Sequence, residues 1–529
     1  MPNFPFCEEK TVARWTNYTG TIPERRIPLY CTPDVPAEAG TDSPRRMQRH
    51  GAALKAIIQH CISTPGTTLR TMGSRWSFSN IIKPGDVALD PANLNIVLRV
   101  KQDWLTQEYR DDRSAQGYVP VFIQGGTHVS SINRRLAQTG LALQTSGAGD
   151  GHRIAGCIAT GTHGSAIDIG AVHDTVLGVH LIVGPNDSIL LQSEFAPAFR
   201  PDLAAWLERE TGIRCRNVAD DALFAAAQVA LGSLGFVHGV IIEAAPLYAL
   251  RGQIVRRPFN DPDVWNTIGD LETRRLHPDT AERPYHFEVV FNPYPTSGRP
   301  GAFVRMFWKQ SADGVPAESP LPAEPDASSD LMGLVAKLTE VVDGSAATWA
   351  LRLLMADQLE RRFKAGSLPP KVPGMVFGPT SLPPGHGAST EVVVGLPDAR
   401  RSLEILYEVL GAEASKGNHL LGPVAVRFVP RTGALLGPNQ NHMNCYIELP
   451  SIRNAEVVGI YRRWWDALEA AGVVFTCHWG QLHGMTSEGL NRYFGTRVAT
   501  WKEARDTILP SADARRVFSS PILAEIGLD

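Results

Sequence analysis

Residues 144–165 read QTSGAGDGHRIAGCIATGTHGS, and this stretch decides the fold. Glycine stands at 147, 149, 151, 156, 161 and 164, interleaved with Thr160, Thr162, His163 and Ser165. So much glycine carries a conformational-entropy cost that a plain linker has no need to overcome. A tightly enclosed ligand would offset that cost. Upstream, residues 70–79 read RTMGSRWSFS, a second turn with small residues at Gly73, Ser74 and Ser77. Successive free N–H groups in such a turn make a concave anion site, and Arg75 adds charge. The turn is not a Walker loop, because G-x-x-x-x-G-K-[ST] is missing. It is not the Rossmann fingerprint either, because no helix follows directly. Alone it also reads as an ordinary tight turn. Together, the two loops suggest a pyrophosphate held between them.

The chain around these loops has 529 residues, too many for one core, so two or three domains are expected. Hydrophobic residues make up 43% and charged residues 20%, the profile of a globular protein. The formal net charge of -3 gives no basic excess to favour nucleic acid. No apolar run approaches the ~20 residues of a membrane span. The start, MPNFPFCEEK, lacks the basic and apolar regions of a secretory signal, so a cytoplasmic protein is expected. Seven scattered cysteines show no zinc or redox spacing and read as reduced thiols. His152, His163 and His173 lack the i, i+4 spacing of H-E-x-x-H, so no metal is expected.

Helical spacing predicts a helix over 45–60. Strand-like runs follow at VALD, NIVLRV and YVPVFIQGG, then two strands around a turn at Gly184–Asp187. DDALFAAAQVALGSLG reads as a helix ending on glycines, before the strand FVHGVIIEAAPLYAL. Beyond 250 a hairpin is expected within 285–310, a polar loop over 311–329 and two helices within 330–364. Strands recur at EVVVGLP, VAVRFV and NCYIELP, with helices over 453–471 and 486–529.

The two loops resemble those of the vanillyl-alcohol-oxidase-type flavoproteins, in the aldonolactone and alditol oxidase branch. GSRWSFSNI is similar to the family's first flavin loop and IAGCIATGTHGSA to its second. LGSLGFVHGVIIEAAP resembles the strand that carries the adenine, here with Val240 and Ile241. CHWGQLH resembles the His-Trp-Gly-Lys-x-His signature. The resemblance covers most of the chain, with the pieces in the family's order. It implies an α+β fold: a two-lobed FAD-binding domain over 1–250, and a cap with an antiparallel sheet flanked by helices over 251–485. The segment 486–529 would return to the FAD domain. It also implies flavin contacts at Thr71, Gly73, Ser74, Arg75, Trp76, Ser77, Phe78, Gly151, Gly156, Cys157, Thr160, Gly161, Thr162, His163, Ser165 and His478.

Three departures bear on chemistry. Many members bond flavin covalently through a His where this chain has Trp76, which implies non-covalent FAD. Cys157 is the one nearby nucleophile, read either as an attachment thiol or as a small packed residue. Relatives acting on polyols carry Glu where this chain has Ala425, and Lys where it has Gln481. A carboxylate and a cation are thus missing; Gln481 could donate a hydrogen bond but brings no charge. Arg427 is then the charged group at the reacting centre, with His478, Gln481 and Glu391 beside it. His478, Glu391, Glu288 and His483 are alternative bases. Phe287, Phe291, Tyr294, Phe428, Met443, Tyr446 and Trp479 suggest a substrate less polar or bulkier than an alditol. The implied reaction is oxidation of a CH–OH group by hydride transfer to flavin, with oxygen as acceptor giving peroxide. A dehydrogenase using another acceptor, or a flavin-binding protein without turnover, stays open.

Overall fold

Short apolar strands separated by turns build two sheets before residue 250, and the chain beyond builds a third. The structure is a computed structural model that describes residues 2–33, 43–269, 271, 282–316, 348–377 and 387–529. The first sheet holds β1 (Cys7–Trp15), β2 (Arg25–Pro33), β3 (Leu69–Thr71) and β4 (Val87–Leu89), in the order β1-β2-β4-β3. The second holds β5 (Val97–Arg99), β6 (Val119–Gln124), β7 (Leu141–Leu143), β8 (Val176–Ile182), β9 (Asp187–Gln192), β10 (Arg214–Ala219) and β11 (Phe236–Pro246). Its order is β10-β9-β8-β11-β6-β5, with β7 pairing β11. Strand β11 reads as a nearly unbroken apolar run because it is covered on both faces and paired on both edges. The turn expected at Gly184–Asp187 joins β8 to β9 as an antiparallel pair.

The third sheet has eight strands: β12 (Tyr248–Arg257), β13 (His286–Phe291), β14 (Ala302–Ser311), β15 (Gly366–Lys371), β16 (Gly387–Gly395), β17 (Val424–Pro430), β18 (Met443–Ile452) and β19 (Phe475–Cys477). Their order is β15-β12-β14-β13-β17-β18-β16-β19, and every pairing is antiparallel. The predicted hairpin of 285–310 is the β13–β14 pair. Most of the expected loop over 311–329, and of the first helix expected within 330–364, lies outside the described residues. The second is the helix Thr348–Arg362.

Four helices, Ser487–Phe494, Arg497–Ile508, Ala512–Val517 and Pro521–Ile526, bring the chain back to the first two sheets. Arg516 donates to the carbonyls of Cys61, Ile62 and Thr67, at the end of α1 (Ser43–Ser63) and just beyond it. Asn80 donates to Glu525 at 2.9 Å, and Arg505 to the Ser233 carbonyl at 3.3 Å. The third sheet is stitched to the others by Ser165. Its hydroxyl donates to the Phe287 carbonyl and accepts from the Phe428 N–H at 2.9 Å.

A buried chain of neutral histidines crosses the second sheet. Gln124 accepts from the Ile96 N–H with its side-chain oxygen. Its amide nitrogen therefore donates, to His50 Nδ1 at 3.3 Å and His238 Nε2 at 3.0 Å. His238 Nδ1 must then carry a proton, which it gives to His180 Nδ1 at 2.9 Å. Burial pushes His50 down to about 3 and His238 to about 4, and pushes His180 well below its ordinary value. The folded pKa values lie below the unfolded value, so the unfolded state binds more protons at acid pH. The stability these groups contribute is whole above about pH 6.5 and is lost as pH falls toward 4. Each can contribute a slope of up to about 1.4 kcal/mol per pH unit. Thermal melts should show the midpoint falling between pH 6.5 and 4.5, and His180→Phe should flatten that fall.

Candidate active site

The two glycine-bearing loops meet in one cleft. Its walls come from residues 70–77, from 152–160 and from the glycine turn before β11, chiefly Leu231, Gly232 and Gly235. Arg70 organises the third wall. It is fully buried and donates to the carbonyls of Ile81, Leu231 and Gly232. The backbone there is forced into the left-handed region, with φ of 51° at Leu231 and 65° at Gly232. Arg75 has φ of 61°, so the first loop is also held in a conformation that side chains disfavour.

Loop meets loop through Ser74 and Trp76. Ser74 donates to the Gly151 carbonyl at 2.7 Å, and the Trp76 ring lies edge-to-face with His152 at 4.6 Å. A Cβ on Gly151 would stand 2.2 Å from the Trp76 ring, so only glycine admits the indole. Gly73 and Gly156 differ: a Cβ at either would have nothing within 4 Å. They face the cleft with bare backbone; Arg75 brings positive charge to the same walls, while Arg153 is paired with Asp90 at 2.6 Å. An extended anionic cofactor such as FAD fits this cradle.

Of the expected cofactor residues, Thr71, Gly73, Ser74, Arg75, Trp76, Ser77, Gly156 and Thr160 line the cleft. Gly151 sits beneath Trp76. Phe78, Cys157, Gly161, Thr162, His163, Ser165, Val240 and Ile241 are not among the lining residues. Phe78 packs with Tyr18, Trp76 and Leu482. The stretch around Cys157 is not all loop: Ile154–Thr160 is a short helix, α2, capped by Gly161 in the left-handed region. That helix turns the Cys157 side chain into the core, where burial pushes its thiol up to about 12. Thr162 returns its N–H to the Cys157 carbonyl at 2.9 Å. Val240 and Ile241 pack into two core clusters in mid-strand, and the cleft is reached by the preceding turn. Arg70, Leu231, Gly232 and Gly235 were missed as site residues. The LGSLG glycines were their one visible signal, taken as a helix end.

Beside the cleft lies a buried cluster of charges, placed by strand register. Glu288 on β13 stands opposite Arg305 on β14 and Arg427 on β17. It accepts from Arg427 Nε at 2.8 Å and from Arg305 Nη1 at 2.5 Å. On the other side of β17, Ala425 pairs with Glu448 of β18, whose carboxylate accepts from Arg427 Nη1 at 2.6 Å. Glu391 on β16 lies 3.6 Å from Arg427 and 3.1 Å from His163 Nε2. A carboxylate thus stands beside Ala425 on the neighbouring strand. Glu448 could not be found from sequence because register between non-consecutive strands is not written locally.

The environment sets the charge states. Burial opposes ionisation of Glu391, but His163 and then His478 and Arg427 outweigh it, holding the carboxyl at about 2. Burial likewise opposes the charge on Glu288, and Arg305 and Arg427 hold it well below its ordinary range. Burial works against the Arg427 guanidinium, and the carboxylates of Glu448, Glu288 and Glu391 more than compensate. Both ring nitrogens of His163 face acceptors, the Gly164 carbonyl at 2.8 Å and Glu391.

Residues 478–481 join cleft to cluster. Phe78 donates its N–H to the Gly480 carbonyl at 2.7 Å, and Ser79 its hydroxyl to that of Trp479 at 2.6 Å. His478 lies with its ring centre 5.8 Å from that of His163. Burial pushes it down to about 4 against the opposing pull of Glu391. Its Nδ1 accepts from the Gly480 N–H at 3.2 Å, so the neutral ring carries its proton on Nε2. His478 is therefore set as a donor, and Glu391 is bound as a charged partner of His163. Neither is a free base. Of the aromatic side chains expected around the substrate, Phe287, Phe291 and Phe428 are fully buried core, whereas Tyr446 packs on His163 with ring centres 3.7 Å apart and Trp479 lies within the 478–481 segment.

The D-arabinono-1,4-lactone oxidase family matches residues 392–526. The D-arabinono-1,4-lactone oxidase of Kluyveromyces lactis is 22% identical over 48% of this chain and 36% of its own length. That of Eremothecium gossypii is 28% identical over 38% of this chain and 32% of its own. The chain thus spans about a third of the length of these curated relatives. The L-gulonolactone oxidase of Scyliorhinus torazame is 22% identical over 80% of this chain and 83% of its own. Among solved structures, cholesterol oxidase from B. sterolicum superposes with a TM-score of 0.69 at 13% identity, over 99% of this chain and 98% of that one. The fold is that of the vanillyl-alcohol-oxidase type. Residues 392–526 are thus similar to the D-arabinono-1,4-lactone oxidase family, and the chain is similar to lactone oxidases and dehydrogenases over parts of its length.

Proposed function

We propose that this protein oxidises the CH–OH group of a hydroxylated ring of the aldonolactone class, using non-covalently bound FAD and passing electrons to oxygen. The observation that carries the reading is the junction at 478–481, bonded to Phe78 and Ser79 just past the first loop and, through Gln481 and Glu448, to Arg427. FAD, when bound, supplies the two-electron acceptor. The first loop, α2 and the 231–235 turn hold it. Arg427, fixed by three carboxylates, stands at the reacting end with its charge balanced by them, and serves there as a rigid set of N–H donors. His478 Nε2–H donates to an oxygen there. Gln481 lies beside them, its side-chain oxygen without a donor among the described residues. With Phe287, Phe291 and Phe428 in the core and Tyr446 packed on His163, a substrate less polar than an open-chain alditol is read as a ring with fewer hydroxyls.

The purified protein should show flavin absorbance bands that acid precipitation releases to the supernatant, because Trp76 cannot bond flavin and Cys157 is buried. Colour retained in the pellet would refute the non-covalent reading. Peroxide formation should be screened with D-arabinono-1,4-lactone, L-gulono-1,4-lactone, cholesterol and xylitol, in parallel with an artificial dye. Turnover with the dye alone would replace the oxidase reading with a dehydrogenase. Flavin bound without turnover of any substrate would favour a binding protein.

His478 gives a pH prediction. Its folded pKa is depressed to about 4, so the neutral donor persists as pH falls through 6.5. kcat/KM should show no ionisation near pH 6.5 and should fall only as pH approaches 4. His478→Ala should lower kcat by about 10²-fold, the cost of one aimed donor.

A further inference from the structure

The Gln481 side chain is held in one orientation by Glu448. Its Nε2 donates to Glu448 Oε1 at 2.9 Å, while the other oxygen of that carboxylate is bound to Arg427. A carboxylate ion-paired in this way can only accept, so the amide cannot turn over. The Gln481 oxygen is left buried, with no donor among the described residues. A buried acceptor without a donor costs about 1–3 kcal/mol unless a ligand satisfies it.

We infer that Glu448 is a positioning residue which fixes Gln481 as a hydrogen-bond acceptor, so that the site selects ligands offering a hydroxyl at that point. The inference rests on the oxidation of a CH–OH donor proposed above. It reverses the expectation that Gln481 would act as a donor in place of a lysine. It also gives the Glu448 carboxylate a role beyond balancing Arg427. A carbonyl or carboxylate at the same point would face lone pair against lone pair and be rejected.

Two measurements test it. The first needs no substrate: the side-chain amide signal of Gln481 in the flavin-loaded, ¹⁵N-glutamine-labelled protein, identified by its loss in Gln481→Met. In the wild type its protons should exchange slowly, and Glu448→Met should make them exchange fast. Glu448→Gln, whose own oxygen can still accept, should restore part of the protection. The second is the binding of D-arabinono-1,4-lactone against its 2-deoxy and 3-deoxy analogues, followed by flavin absorbance. The wild type should prefer the full lactone over one analogue by at least about tenfold. Glu448→Met and Gln481→Met should both reduce the preference to within about twofold, with FAD affinity unchanged. An amide signal or a preference unaltered in Glu448→Met overturns the inference. If flavin binds but no lactone does, the substrate reading fails. The amide signal then decides the role of Glu448 alone: faster exchange in Glu448→Met upholds it, unchanged exchange overturns it.

Discussion

Gly156→Leu is expected to abolish FAD binding while leaving the chain folded. The position lies inside α2, and nothing stands within 4 Å of where its Cβ would be. Glycine in a helix interior costs about 1 kcal/mol relative to better helix formers. If no ligand used the space, leucine would be neutral or stabilising. The cofactor-free protein should therefore melt at the same temperature or slightly higher. FAD affinity should fall by at least about 100-fold, because four new carbon atoms occupy the wall that the cofactor must touch. Fluorescence titration with FAD alongside thermal melts reads both effects. A variant that bound FAD normally would mean that the cofactor lies elsewhere. Gly151→Ala gives a contrast, since its Cβ would meet the Trp76 ring at 2.2 Å and should disturb the loops with or without flavin.

Arg427→Met should cost about 3–5 kcal/mol of stability at neutral pH, the usual effect of stripping a partner from buried charges. Arg305 would still reach Glu288, but Glu391 and Glu448 would lose their guanidinium. In the wild type, Glu288 lies well below its ordinary range and Glu391 at about 2. Their ionised forms therefore stabilise the fold above the unfolded carboxyl pKa, about 4.3, and that contribution is lost as pH falls through the folded values. Removing Arg427 raises the folded values. The deficit of the variant should be largest at pH 7 and should narrow as pH falls through 5 toward 4. Urea unfolding at pH 7 and pH 5 tests this, and an equal deficit at both would show that the cluster is not electrostatic in origin. Activity should fall by at least about 10²-fold. Lysine at 427 should recover stability better than activity, because one ammonium cannot reproduce the fork that reaches Glu288 and Glu448 together.

The loops were legible because their chemistry is local. Gly73 and Ser74 line the cleft as small residues in a turn suggest, while Gly156 does so from within a helix. Strand runs such as VAVRFV and NCYIELP were equally plain, since burial on both faces writes itself as continuous apolar sequence. What escaped was set by pairing at a distance. Glu448 stands beside Ala425 only because β18 lies against β17 in one register. Cys157 was open between an attachment thiol and a small packed residue, and one helical turn, which places its thiol in the core, favours the second. The aromatic residues of the third sheet looked like a pocket lining, and strand alternation put Phe287 and Phe428 on the core side instead.

The return of residues 487–526 to the first sheets has a consequence for biosynthesis. The 231–235 turn is tied to Arg505, the α1 end to Arg516 and the segment after the first loop to Glu525. A chain emerging from the ribosome exposes both glycine loops hundreds of residues before these anchors exist. The turn and the segment that border the cleft are therefore held by these bonds only once the closing helices have docked.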